Sequence, residues 1–151
     1  MRSPGYTAAV LIMCLTTAAW AAPDKGVTVR SNSLQIQEKT GDIRFEGEVE
    51  IRMAEVVLTC DILTVHADDT DASKILSGET SGNVVMTRGN DRIEAREAVF
   101  DLEAGKVEFT GTPRLTRGET TIEGEKIVYW IKEGTASFSG SVRALFKAPG
   151  D

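Results

Sequence analysis

Few residues of this 151-residue chain have the types and spacing that could do chemistry. His66 is the single histidine, so no cluster of imidazoles can hold zinc. It opens an acidic stretch, 66–73, whose Asp68, Asp69 and Asp71 are calcium-ligand types. Further oxygen donors at the regular spacing of a calcium loop are missing, and a solvated loop accounts for them. There is no G-x-S-x-G elbow and no Cys–His pair. Cys60 stands on an apolar parity with Leu58 and reads as a small buried hydrophobe. The carboxylates of Asp42, Glu46, Glu48 and Glu50 alternate with apolar residues, and so face water. Arg30, Arg44 and Arg114 occupy similar solvated positions, where contact with a phosphate is the chemistry open to a guanidinium. These residues predict no enzyme, no metal site and no cofactor.

What the chain has in quantity is apolar surface laid out with period two. Ile43, Phe45, Val49, Ile51 and Met53 share one parity, and the residues between them are largely charged. Val107, Phe109 and Leu115 share another, as do Ala136, Phe138, Val142, Ala144 and Phe146. Strict alternation gives a strand one apolar face and one wet face. Lys39-Thr40-Gly41, Glu103-Ala104-Gly105 and Lys132-Glu133-Gly134 mark tight turns between strands. No 3.6-residue period persists, so an all-β chain is expected.

The strands repeat. Residues 82–114 match residues 111–143 without a gap at an offset of 29, with 11 identities in 33 positions. The shared residues are mainly turn glycines and strand apolars, among them Gly82/Gly111, Arg88/Arg117, Phe109/Phe138 and Gly111/Gly140. A fixed period of this size means one supersecondary unit stacked on copies of itself. Each unit also reverses parity midway. Leu58 and Cys60 give way to Leu63 and Val65, Ile93 and Ala95 to Ala98 and Phe100, and Ile122 to Ile127 and Tyr129. A reversal reads as an extra, bulged residue in that strand and a corner turned at the same place in every unit. The sheet is therefore expected to fold over along a crease. Its two halves either meet as an ordinary sandwich core or stand apart around an apolar trough; alternation alone leaves both open.

Residues 1–21 read as a cleaved secretion signal. Arg2 is followed by an apolar run over 8–15 and by Ala19-Trp20-Ala21, an A-x-A cleavage site. The run is short of the roughly 20 residues a spanning helix needs. Cys14 follows Met13, which is too large for a lipid-attachment site. The expected organisation is a leader at 1–21, one domain at 22–148 and a tail at 149–151. The formal charge of −6 becomes one unit more negative when Arg2 leaves, and an acidic surface argues against nucleic acid as partner.

Three strings carry a family resemblance: Ile43-Arg-Phe-Glu-Gly-Glu-Val-Glu-Ile51, Leu58-Thr-Cys-Asp-Ile-Leu-Thr-Val65 and Ile122-Glu-Gly-Glu-Lys-Ile-Val-Tyr129. Their order and spacing, with the leader and the opening at Val27–Leu34, resemble the OstA-like family of periplasmic lipopolysaccharide-transport proteins. Glu48 stands where that family usually has Asn, and Cys60 where it has a small Ala. The resemblance implies a twisted, V-shaped antiparallel β-jellyroll (a β-taco) of about sixteen strands. It further implies a periplasmic protein whose apolar trough holds the acyl chains of lipid A. It also implies head-to-tail self-association through the terminal strands, and joining to inner-membrane LptC-type and outer-membrane LptD-type components. The expected lipid-binding residues are Val27, Val29, Leu34, Ile36, Ile43, Phe45, Val49, Ile51, Met86, Phe109, Leu115 and Phe138.

Overall fold

A computed structural model describes residues 26–71 and 74–150. The leader expected at 1–21 lies outside the described residues. Twelve strands form one antiparallel sheet, and the described residues contain no helix. In chain order these are β1 Val27–Arg30, β2 Ser33–Gln37, β3 Asp42–Met53, β4 Val56–Ala67, β5 Ile75–Arg88 and β6 Asp91–Asp101. They are followed by β7 Lys106–Thr110, β8 Arg114–Arg117, β9 Thr120–Glu123, β10 Lys126–Trp130, β11 Thr135–Ser139 and β12 Arg143–Leu145.

Strand pairing divides the sheet into two leaves. One leaf runs β1, the second half of β3, the first half of β4, the second half of β5, the first half of β6, β8, β9 and β12. The other runs β2, the first half of β3, the second half of β4, the first half of β5, the second half of β6, β7, β10 and β11. The four long strands cross the crease, so the twelve strands make sixteen segments, eight to a leaf. This is the β-jellyroll expected from the sequence.

The crease has a chemical cause. At each corner a glycine and its successor both adopt a left-handed backbone: Gly47 and Glu48 (φ 80° and 47°), Gly82 and Asn83 (77° and 47°), Gly111 and Thr112 (77° and 53°), Gly140 and Ser141 (74° and 45°). The corners fall where the parity reversals put them, but the extra residue does not. Between Glu46 and Val49 two residues of β3 oppose one of β4, and between Ser81 and Val84 two residues of β5 oppose one of β6. The bulge thus belongs to the neighbouring strand that keeps its parity, because only there does a glycine supply the positive φ. The strands that reverse are the shorter path around the corner.

The same glycines admit a side chain from the adjacent strand. A Cβ at Gly111 would lie 2.6 Å from Arg96 Cβ, and one at Gly140 2.6 Å from Glu125 Cβ. Asp61 stands over Gly82 in the same way, and Asn32 over Gly47.

Candidate functional site: the apolar interior

The inward faces of both leaves converge on one core. Val49, Ile51, Val56, Leu58, Leu63, Met86, Ile93, Val107, Phe109 and Ile127 are all 0% exposed. Of the residues predicted to line a trough, Val49, Ile51, Met86, Phe109 and Leu115 are in this core. Val27, Val29, Ile43, Phe45 and Phe138 are partly buried and pack on its margin. Leu34 and Ile36 share the face of Phe45 and Ile43, their strand partners, but lie on terminal β2 and are exposed. Along its middle the interior is therefore filled by its own side chains. Phe100 lies over Gly78, where a Cβ would stand 2.2 Å from Cζ, so even the glycine face is covered. Leu63, Val65, Phe100, Ile127 and Tyr129, on the apolar parity of their strands but outside the twelve residues expected to meet lipid, belong to the same core.

The ends differ from the middle. At one end Leu34 and Ile36 are uncovered; at the other Val142, Leu145 and Phe146 are. Beside Phe146 lies a cavity of about 450 Å³ whose apolar lining comes from Leu115, Ile122, Ala136 and Phe138, with Arg117 at its margin. Five of the six exposed large hydrophobic residues among the described residues thus cluster at the two ends; Val99 is the sixth. Hollows of about 630 and 460 Å³ occur at the crease, but polar and charged residues line most of them, including Glu48, Asp61 and Asn83 in one and Arg96, Glu123 and Glu125 in the other.

Most of the paired charges lie on the outer surface. Arg44 pairs with Glu46, and Arg114 with Glu123 at 2.7 Å. His66 Nδ1 is 2.7 Å from Asp42 Oδ1, and that hydrogen bond holds the Asp42 carboxyl below its ordinary value. Lys126 does the same for Glu108 across the β7–β10 pair. The Cys60 thiol is pushed up to about 12, first by burial and then by the charge of Asp61. Among the described residues, no group of three or more His, Cys, Asp and Glu is placed to hold a metal ion.

The creased, open-edged sheet with its apolar interior and uncovered ends is an all-β jellyroll. The family model for the LptA/(LptD N-terminal domain) LPS transport proteins matches residues 28–135, and the chain belongs to that family. Among solved structures it is similar to the crystal structure of LptH, the LptA-homologous periplasmic component of the lipopolysaccharide transport device of Pseudomonas aeruginosa. The TM-score is 0.71 at 14% identity, covering 83% of this chain and 100% of that one. At that identity the likeness establishes the shared fold. No curated protein matches the sequence.

Proposed function

We propose that this protein carries lipopolysaccharide across the periplasm, with the acyl chains of lipid A held between its leaves. The observation that carries this reading is the apolar inner face, continuous from β1–β2 to β11–β12 and uncovered at both ends, in a chain of the LPS-transport family. Each methylene moved from water into such an interior contributes roughly 0.8 kcal/mol, so a long acyl chain gains several kcal/mol. Because Val49, Ile51, Met86 and Phe109 now fill the middle, a guest must part the leaves or displace these side chains. The carrier works by binding and passing on, with no bond made or broken. The domain at 22–148 follows a cleaved leader at 1–21. Protomers join head to tail through β1–β2 and β11–β12, and LptC-type and LptD-type domains dock on the same edges. The proposed lipid contacts are the twelve residues named from the sequence.

The filled middle favours a second reading, an envelope scaffold with no lipid guest. Two measurements separate them. Protein purified from its envelope and extracted into organic solvent yields lipid A by mass spectrometry if it is a carrier. Photo-crosslinkers at Phe45 and at outward Arg44 label lipid unequally, Phe45 strongly and Arg44 weakly. Equal labelling at the two positions defeats the assignment of an internal trough.

A further inference from the structure

Among the described residues, one side chain hydrogen-bonds across the lips of the two leaves, opposite the crease. Arg88 ends β5 on one leaf. Its Nη1 donates to the Ile131 carbonyl at 2.6 Å and to Tyr129 Oη at 3.2 Å, and both acceptors belong to the other leaf. Glu55, at the turn between β3 and β4, lies 3.6 Å from its Nε. The turn glycine Gly134 accommodates the reach: a Cβ there would stand 2.9 Å from Arg88 Nη1. Tyr129 is only 1% exposed, so its phenol oxygen depends on this contact.

The repeat explains why this arginine crosses. Arg88 and Arg117 are equivalent positions, and both are strand partners of Asp91. Arg117 takes that carboxylate with two nitrogens, Nη2 at 2.7 Å from Oδ2 and Nε on Oδ1. Arg88, left without its strand partner, turns across the opening instead.

We propose that Arg88 is a latch on the lips of the trough, released when the phosphate of an anionic amphiphile replaces Tyr129 and Ile131 as its acceptor. This rests on the carrier reading for its guest. A guanidinium is suited to the exchange because Nη1 alone serves both present acceptors, while the whole planar fork can take a phosphate with two nitrogens. Bulky headgroups travelling outside the opening must pass this point, and the latch then opens only for guests that carry the charge to release it.

The test uses the mature protein with spin labels on Asn90→Cys and Glu133→Cys, in the exposed turns on opposite lips. Cys60 is buried and is not labelled. The expected result is a single narrow distance in the parent and a longer, broader one in Arg88→Gln. Arg88→Lys, which keeps the charge and the stem but not the fork, falls between them. A distribution in Arg88→Gln superimposable on the parent's, with strand content retained by circular dichroism, overturns the latch. Dodecyl phosphate is then expected to widen the parent's distance, and its affinity relative to dodecyl maltoside, read by calorimetry, to fall about tenfold in Arg88→Gln by loss of a charge-assisted contact. Dodecyl maltoside binds Arg88→Gln no more weakly than the parent. Equal weakening of both amphiphiles overturns the phosphate exchange. If Arg88→Gln opens the lips but neither amphiphile does so in the parent, the latch stands while the exchange and the carrier reading fall.

Discussion

Individual residues show how backbone and burial select side chains here. Glu48 holds φ at 47° in a corner where the equivalent position of the next unit is Asn83. Asn tolerates the left-handed region far better than Glu, because its short side chain bonds locally to the backbone. Glu48→Asn is therefore expected to stabilise the fold by about 0.5–1 kcal/mol, read as a higher urea midpoint at unchanged slope; a lower midpoint contradicts the strain assigned to this corner. Cys60, with its thiol pushed up to about 12, should not react with a disulfide reagent at pH 8 until the protein is unfolded. Prompt reaction in the native state would show the core beside the crease to be open. Asp42 makes a third case. Its carboxyl is held below the ordinary 3.8, chiefly by His66 and then by Thr40. A carboxyl NMR titration should find its midpoint below 3.8 in the parent and closer to it in His66→Asn. The sign follows from the partner: His66 favours the ionised carboxylate, so the stabilisation is present above the unfolded value and disappears as pH falls through the lower folded one.

At the scale of elements, the corner is the unit that matters. Strands β3 to β6 bend because paired residues at positive φ add one residue to alternate strands, and because the side chain opposite needs the missing Cβ. Gly111→Ala brings a methyl to within 2.6 Å of the Arg96 Cβ, the anchored stem of that side chain and not its mobile tip. Gly118 has a similar φ of 58° but nothing within 4 Å. Gly118→Ala is expected to cost about 1 kcal/mol for the backbone alone, and Gly111→Ala about 2–3 kcal/mol more through displacement of the strand. Equal losses for the two, measured by thermal or urea unfolding, would remove the close approach as a cause of the crease.

For the whole molecule, what counts is that a single sheet ends in four free edges. β1 and β12 bound one leaf, and β2 and β11 the other. Edge backbone groups and the exposed Leu34, Ile36, Val142, Leu145 and Phe146 occur together at the two ends, the arrangement that favours addition of further strands. Removing residues 139–146 is expected to leave a folded monomer and abolish end-to-end growth, so that mass by light scattering stops rising with concentration. A mass independent of concentration in the intact protein counts against assembly through these edges. The packed middle adds a second expectation at this scale. Occupancy by a lipid must expose or displace core side chains, so amide exchange in β5 and β10 should change on loading and not merely at the ends.

The local rules were written in the chain. Alternation at Ile43–Met53 and Val107–Leu115 determined which face of each strand is apolar, the 29-residue offset determined that units stack, and three parity reversals marked where β4, β6 and the β9–β10 connection cross the crease. These are properties of neighbours along the backbone, where a period of two and a glycine suffice. The tertiary structure alone decided which strand carries the extra residue, since that depends on comparing two paired strands. It decided that Val49, Ile51, Met86 and Phe109 are fully buried in the core, and that Leu34 and Ile36 are exposed. It also decided that Arg88 crosses the lips while its repeat-equivalent Arg117 stays on its own leaf. Arginines at equivalent positions of the repeat diverged there because one carboxylate, Asp91, lies between both and was taken by one of them, a competition visible only after the strands are side by side.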